Sequence, residues 1–179
     1  EGQDPFDKSM IERILSLRYH WPTEMLGVLD TGLWDIIGKA VGKPVYKLLG
    51  AAREKIPAYA STVHHRTDQR FVNTALRARK KGFHAVKLHP YCVWKNDIRL
   101  CRAVRKAVGE DFALMIDSLA YPGPYKRAQA VEVGRVLDEL NFLWYEDPLP
   151  KTDLEGLREV TAECKVVQVR ASDRVEDIH

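Results

Sequence analysis

Five side chains in the second half of the chain are of types and spacings that could handle protons and hold a hard cation. Lys87 and His89 are two residues apart, and Asp117, Glu146 and Asp173 follow at intervals of 29 and 27 residues. Each sits at or just beyond the end of a short apolar run: AVKLH, FALMID, FLWYE and VVQVR. If those runs are neighbouring parallel strands about 4.8 Å apart, the three carboxylates converge within a span that one cation can bridge. Oxygen-only ligation favours Mg²⁺ or Mn²⁺ over zinc, and without a cation such close like charges would raise one another's pKa. The competing reading is that acids at strand ends merely cap the following helices. The common phase of all three weighs against it.

Residues separated by two on a strand share a face, so Lys87 and His89 should point the same way beside the first carboxylate. A lysine there is costly to bury unless paired. Near a metal and other cations its pKa falls and it becomes a usable base, while histidine needs little shift to serve near neutrality. The plainer alternative is that Lys87 only pairs with Asp117.

These residues need elements to place them. The first third reads as helix: Thr23 can cap a segment with Leu26, Leu29, Leu33, Ile36, Ile37, Ala40 and Val41 at helical spacing and Gly42 as its stop. A short helix follows from Pro44 to Gly50. Apolar runs then start at Ile56, Ala85, Phe112, Phe142 and Val166, at intervals of 29, 27, 30 and 24 residues. Amphipathic segments lie between them at Thr67–Lys81, Asn96–Val108, Tyr125–Leu140 and Thr152–Glu163.

Runs without polar alternation predict strands buried on both faces, the habit of a parallel sheet covered by helices. The repeat suits a (β/α)8 barrel or a doubly wound sheet, and the absence of GxGxxG and GxxxxGK[ST] favours the barrel. A barrel of this type takes about 250 residues, whereas residues 56–179 supply five strands and four helices. The expected class is therefore α/β, a partial TIM-type barrel comprising its first five strands, with apolar edges that something else must complete.

Composition excludes other classes. The chain has 179 residues, a net charge of +3 and 45% hydrophobic residues, and no window approaches the ~18 apolar residues of a membrane span. Neither nucleic acid nor a bilayer is an expected partner. Three cysteines without paired spacing argue against zinc and for a reducing, cytoplasmic compartment. The N-terminus lacks a signal-peptide profile and an initiator Met, so the expectation is that the true start lies upstream. His64 and His65 are read as loop residues, Arg77–Lys81 with Arg99, Arg102, Arg105 and Lys106 as a solvated face, and Trp34, Trp94 and Trp144 as packing.

The stretches GLWDIIGKAVGKPVYKLLGAAREKIPAYAST, GFHAVKLH, MID and FLWYEDPLP resemble the mandelate racemase and muconate lactonizing enzyme group of the enolase superfamily, over about Leu26 to Asp173. The resemblance implies a capping domain of α+β type, represented by its C-terminal helices in residues 1–54, and a barrel domain in 55–179 whose last strands are missing. It implies Mg²⁺ held by Asp117, Glu146 and Asp173. It also implies abstraction of the proton α to the carboxylate of a small-molecule substrate, with the enediolate held on the metal, and a homo-oligomeric whole protein.

Departures accompany the match. The family's Lys-x-Lys is here Lys87-Leu88-His89, Leu119 stands where Asn is usual two residues after Asp117, and Asp173 stands where many relatives have Glu. A histidine near the enediolate suits an acid-sugar dehydratase, with His89 as base or acid and Lys87 assisting electrostatically. Racemase and cycloisomerase chemistry share the first step. A truncated, non-catalytic interaction protein is the rival from another class, and residues 1–179 alone are expected to be inactive.

Overall fold

The computed structural model describes residues 4–20, 22–118, 125–164 and 168–170. Two compact units divide the chain, residues 1–56 and 57–179. No described helix is long and apolar enough to cross a membrane.

The first unit contains α1 (Lys8–Tyr19), α2 (Thr23–Val41) and α3 (Val45–Leu48). Leu33 and Ile37, one turn apart on α2, are buried. None of α1's residues is fully buried, and its apolar Ile11, Ile14 and Leu15 are half-buried. It is tied to α2 by Lys8, whose ammonium meets Asp30 as well as Glu12 on its own helix and lies 5.6 Å from the Trp34 ring centre. Pro22, not Thr23, occupies the N-cap of α2. Pro44 likewise stays outside α3, with an extended ψ of 142°: proline's fixed φ fits the cap as well as the first turn. Gly42 ends α2 as expected, at φ 64°.

The second unit alternates strand and helix: β1 (Ala60–Ser61), α4 (Asp68–Lys80), β2 (Ala85–Leu88), α5 (Trp94–Val108), β3 (Ala113–Asp117), α6 (Arg127–Glu139), β4 (Trp144–Glu146), α7 (Leu154–Glu163) and β5 (Gln168–Arg170). All neighbouring strands are parallel and their order is sequential, β1-β2-β3-β4-β5. Among the described strands the order runs in one direction, without the reversal that marks a doubly wound fold. Helix starts shift by a residue or two from the sequence pattern where a cap decides them. At α7, the Asp153 carboxylate accepts the Gly156 N–H at 3.1 Å and sets the first turn.

The sheet face toward the helices is apolar apart from the Tyr145 hydroxyl. Val86 and Leu88 of β2, Leu114 and Ile116 of β3 and Tyr145 of β4 are fully buried with Phe71, Ala75, Leu100, Val104, Ala130, Val133, Leu137 and Val160 of the helices. Each large side chain so placed contributes about 1.5–3 kcal/mol relative to exposure. The alternate residues of β2, β3 and β4 project to the opposite face, and this second face carries Lys87, Asp117 and Glu146.

One cation assigned to the solvated face is not there. Arg105 is buried in the last turns of α5, donating to the carbonyls of Leu140 at 2.8 Å, Gly109 and Phe112 at 2.7 Å and Asn141 at 3.0 Å. Burial lowers its pKa, and four carbonyl acceptors make the burial tolerable. Arg99 and Arg102 remain outside, paired with Asp68 and Glu139.

Gly134 of α6 is required by a close approach. A Cβ there would lie 2.2 Å from Cys164 Sγ and 3.7 Å from the Tyr145 ring. Gly134→Ala should therefore lower unfolding free energy by about 1–3 kcal/mol, the usual cost of overpacking. Adding Cys164→Ala should restore part of the loss in a double-mutant cycle, with urea denaturation as the measurement. An unchanged midpoint in the single variant would contradict the close packing of α6 on Cys164.

Candidate active site

Sheet register places the candidate residues. Lys87 pairs with Met115 and Met115 with Trp144; one dipeptide further on, Asp117 pairs with Glu146. In a parallel sheet paired residues share a face, so a row of carboxylates lies above a row containing Lys87. Lys87 Nζ donates to Asp117 Oδ2 at 2.9 Å and to Glu146 Oε2 at 3.0 Å. His89 Nε2 lies 3.2 Å from the same Asp117 oxygen. Four of the five residues singled out from spacing thus form one cluster at the ends of three adjacent strands. Asp173 and Leu119 lie outside the described residues; β5 is described as far as Arg170, which pairs with Glu146.

Burial makes the cluster electrostatically demanding. The side chains of Lys87, Asp117 and Glu146 are 12%, 6% and 19% exposed. Burial alone would lower the Lys87 pKa, but its hydrogen bonds to Asp117 and Glu146 carry it above the ordinary lysine value. Burial would raise that of Asp117, but the bonds from His89 and Lys87 hold it below the ordinary carboxylate value. Among protein groups alone Lys87 therefore favours the ammonium form, whereas the lowered pKa of a lysine base is expected beside a metal. The physical reason is that it faces two anions rather than other cations.

The cluster has unused capacity. Within it one lysine faces two carboxylates. Among the described residues, the buried Asp117 Oδ1 and His89 Nδ1 have no hydrogen-bond partner. Because an ionised Asp117 can only accept, His89 Nε2 carries the hydrogen between them, and Nδ1 faces no protein donor or acceptor among the described residues. An unpartnered, buried carboxylate oxygen beside a second carboxylate fits a hard divalent cation. No group of three His, Cys, Asp or Glu able to hold a metal occurs among the described residues, so Asp117 and Glu146 are the part of the expected triad present there.

Supporting contacts add residues that spacing did not single out. Thr62, buried at the exit of β1, accepts the His89 N–H at 3.0 Å and donates its own N–H to the Lys87 carbonyl at 2.9 Å. Trp144, read from the sequence as packing, donates Nε1–H to Glu146 Oε2 at 3.2 Å while meeting Tyr59 edge-on. Its place two residues before Glu146, hence on the same strand face, was the available signal. His64 packs its ring edge-on against His89 at 5.8 Å and bonds the Pro90 carbonyl, whereas His65 turns to Phe71 and Thr74. Asp147 takes φ 48°, a left-handed conformation of the kind found at functional sites.

Sequential parallel strands with ionisable groups at the same end of three of them, β2, β3 and β4, define an α/β protein with its site at the C-terminal ends of the strands, where parallel α/β folds carry chemistry. Residues 70–179 match the family model for the enolase C-terminal domain-like fold. The chain is 34% identical over 173 residues to L-talarate/galactarate dehydratase of Salmonella typhimurium, covering 90% of this chain and 42% of that one. It is 34% identical over 172 residues to D-galactarolactone cycloisomerase of Agrobacterium fabrum, covering 90% and 45%. The structure of D-glucarate dehydratase from Agrobacterium tumefaciens, complexed with magnesium, superposes with a TM-score of 0.83 at 30% identity, covering 94% of this chain and 48% of that one. The chain belongs to the enolase superfamily, in its mandelate racemase/muconate lactonizing enzyme group. It spans less than half the length of these three relatives.

The shifted groups set a pH window. The folded pKa of Asp117 is depressed, so its contribution is present above the unfolded value near ~4 and is lost as pH falls through the folded one. That of Lys87 is raised, so its contribution is complete below ~10.4 and is lost as pH rises through the folded value. In chelator, Asp117→Asn should cost about 1–3 kcal/mol at neutral pH, and the difference should narrow as pH falls below ~4. Urea unfolding of both forms across this range is the check; a constant difference would show that the ionised pairing is not what Asp117 contributes.

Proposed function

We propose that the whole protein containing this chain is a Mg²⁺-dependent enzyme that removes the proton α to a carboxylate, acting as an acid-sugar dehydratase. The observation that carries this reading is the Lys87–Asp117–Glu146–His89 cluster, in which one carboxylate oxygen and one imidazole nitrogen are buried without partners. In the same reading, the five strands are the first five of an eight-stranded barrel, and residues 1–54 are the last helices of a capping domain. The strand order and the coverage of the magnesium-complexed relative support it.

Asp117 and Glu146 would hold the cation, with Asp173 as third ligand; Mn²⁺ has the same preference for oxygen. When bound, the cation supplies positive charge against the negative charge that develops on the substrate carboxylate. His89 takes the α-proton at Nδ1, the ring nitrogen without a protein partner among the described residues, while Nε2–H stays on Asp117. Lys87 stays protonated and stabilises the same developing charge electrostatically. Thr62 fixes the backbone of His89, and Trp144 fixes the Glu146 carboxylate, so neither group must reorganise as charge moves.

Dehydration is placed first because a histidine can take the α-proton and then serve as the acid that releases hydroxide. Cycloisomerisation shares the first step, and the equal 34% identity to the Agrobacterium fabrum cycloisomerase favours it as the second reading.

The test is made on the whole polypeptide. Titration calorimetry should detect Mg²⁺ binding that Glu146→Gln abolishes; unchanged affinity would remove Glu146 from the ligand set. With galactarate as trial substrate, His89→Ala should lower kcat about 10²–10⁴-fold with KM nearly constant. Lys87→Ala should impair both parameters. Exchange of the α-proton with solvent deuterium that survives in His89→Ala and disappears in Lys87→Ala would make the lysine the base instead.

A further inference from the structure

The proposed chemistry makes no use of one fully buried carboxylate. Asp97, in the first turn of α5, has no exposed surface. Its Oδ1 accepts the Tyr91 N–H at 2.8 Å, and its Oδ2 accepts the Tyr125 hydroxyl at 2.5 Å. That hydroxyl lies 3.4 Å from Ser118 Oγ, and the Ser118 N–H donates to the Glu146 carbonyl at 2.9 Å. Tyr91 follows His89 by two residues, and Ser118 follows Asp117 directly. A single side chain on an outer helix therefore reaches the exits of β2, β3 and β4.

An acidic residue in a first helical turn is ordinarily explained by the helix dipole, which is worth less than about 1 kcal/mol at an exposed surface. That explanation is too small for Asp97. Burying a carboxylate costs several kcal/mol unless its oxygens are satisfied, and here both oxygens are spent on the segments that follow catalytic strand ends. Burial raises its pKa, as expected for an anion held by hydroxyl and amide donors alone.

We propose that Asp97 is a positioning residue: through Tyr91 and through Tyr125–Ser118 it holds the ends of β2, β3 and β4 in the relation that brings Lys87, His89, Asp117 and Glu146 together. The effect on a cation rests on the reading of Asp117 and Glu146 as ligands, whereas the mechanical link does not. Two readouts separate them.

Tyr125→Phe deletes only the hydroxyl that joins Asp97 to Ser118, and Asp97→Asn is the more disruptive second variant. Amide hydrogen exchange in the metal-free protein should accelerate at Ser118 by at least about tenfold in Tyr125→Phe, with Val104 in the middle of α5 unchanged. Titration with Mn²⁺ as the probe should show affinity about 10–100-fold weaker, the usual cost of losing a group that orients a ligand. Thr161→Val, which removes a hydroxyl bond elsewhere, that to the Leu157 carbonyl of α7 at 2.8 Å, should leave both readouts near their starting values. Unchanged exchange at Ser118 in Tyr125→Phe overturns the proposal, as does unchanged Mn²⁺ affinity in the face of faster exchange. If the unaltered protein binds no Mn²⁺, the cation reading fails, and Ser118 exchange alone then decides whether Asp97 positions the strand ends.

Discussion

The pairing of Lys87 with Asp117 and Glu146 is the interaction to which the rest of the second unit is fitted. A buried ammonium or carboxylate alone costs several kcal/mol, and these three are tolerable only because Nζ reaches both anions within 3.0 Å. Reaching both requires adjacent strands in parallel register, with Asp117 opposite Glu146 and Lys87 one dipeptide below. The register is in turn set by the opposite face of the sheet, where Val86, Leu88, Leu114, Ile116 and Tyr145 are fully buried. A slip of one residue would exchange the two faces and bury the charged row among the helices.

The cluster as it stands is incomplete in a particular way. Its lysine meets two anions, and one buried oxygen and one buried nitrogen face no protein group among the described residues. Folding alone has no use for unpaired buried polar atoms, which cost about 1–3 kcal/mol each. Tyr145 Oη, on the helix side of the sheet, is likewise unpaired among the described residues, so it is the meeting of the other two within one charged cluster that marks the site. The surrounding contacts are satisfied by comparison: Thr62 on the His89 backbone, Trp144 on Glu146 and Asp97 behind the strand exits each have hydrogen-bond partners.

What failed to show in the sequence failed for identifiable reasons. Arg105 reads as one more exposed cation on a basic helix because a linear pattern cannot reveal four carbonyls converging from two loops. Trp144 reads as packing because its apolar ring dominates, although its N–H serves Glu146. A third residue of this kind is Asp97, which reads as an ordinary acid in a first helical turn; its burial depends on where Tyr91 and Tyr125 return in space. For Lys87 the sequence left two readings, a base near a metal or a partner of Asp117, and the structure shows the pairing, extended to Glu146.

By itself the sequence determined the alternation of strand and helix, the parallel sheet and the common phase of Lys87, His89, Asp117 and Glu146. These follow from local periodicity: apolar runs buried on both faces cannot pair any other way when an amphipathic helix separates each from the next. Family membership was legible for a related reason, because WYEDPLP and its companion segments join a strand end to the turn that follows it. Only the tertiary structure decided which groups touch. Whether Lys87 bridges or titrates, which imidazole nitrogen is left bare and which outer-helix residues reach the strand exits depend on distances of a few ångströms between residues 20 to 60 positions apart. Such contacts are made by the packing of helices on a sheet, and local periodicity carries no record of them.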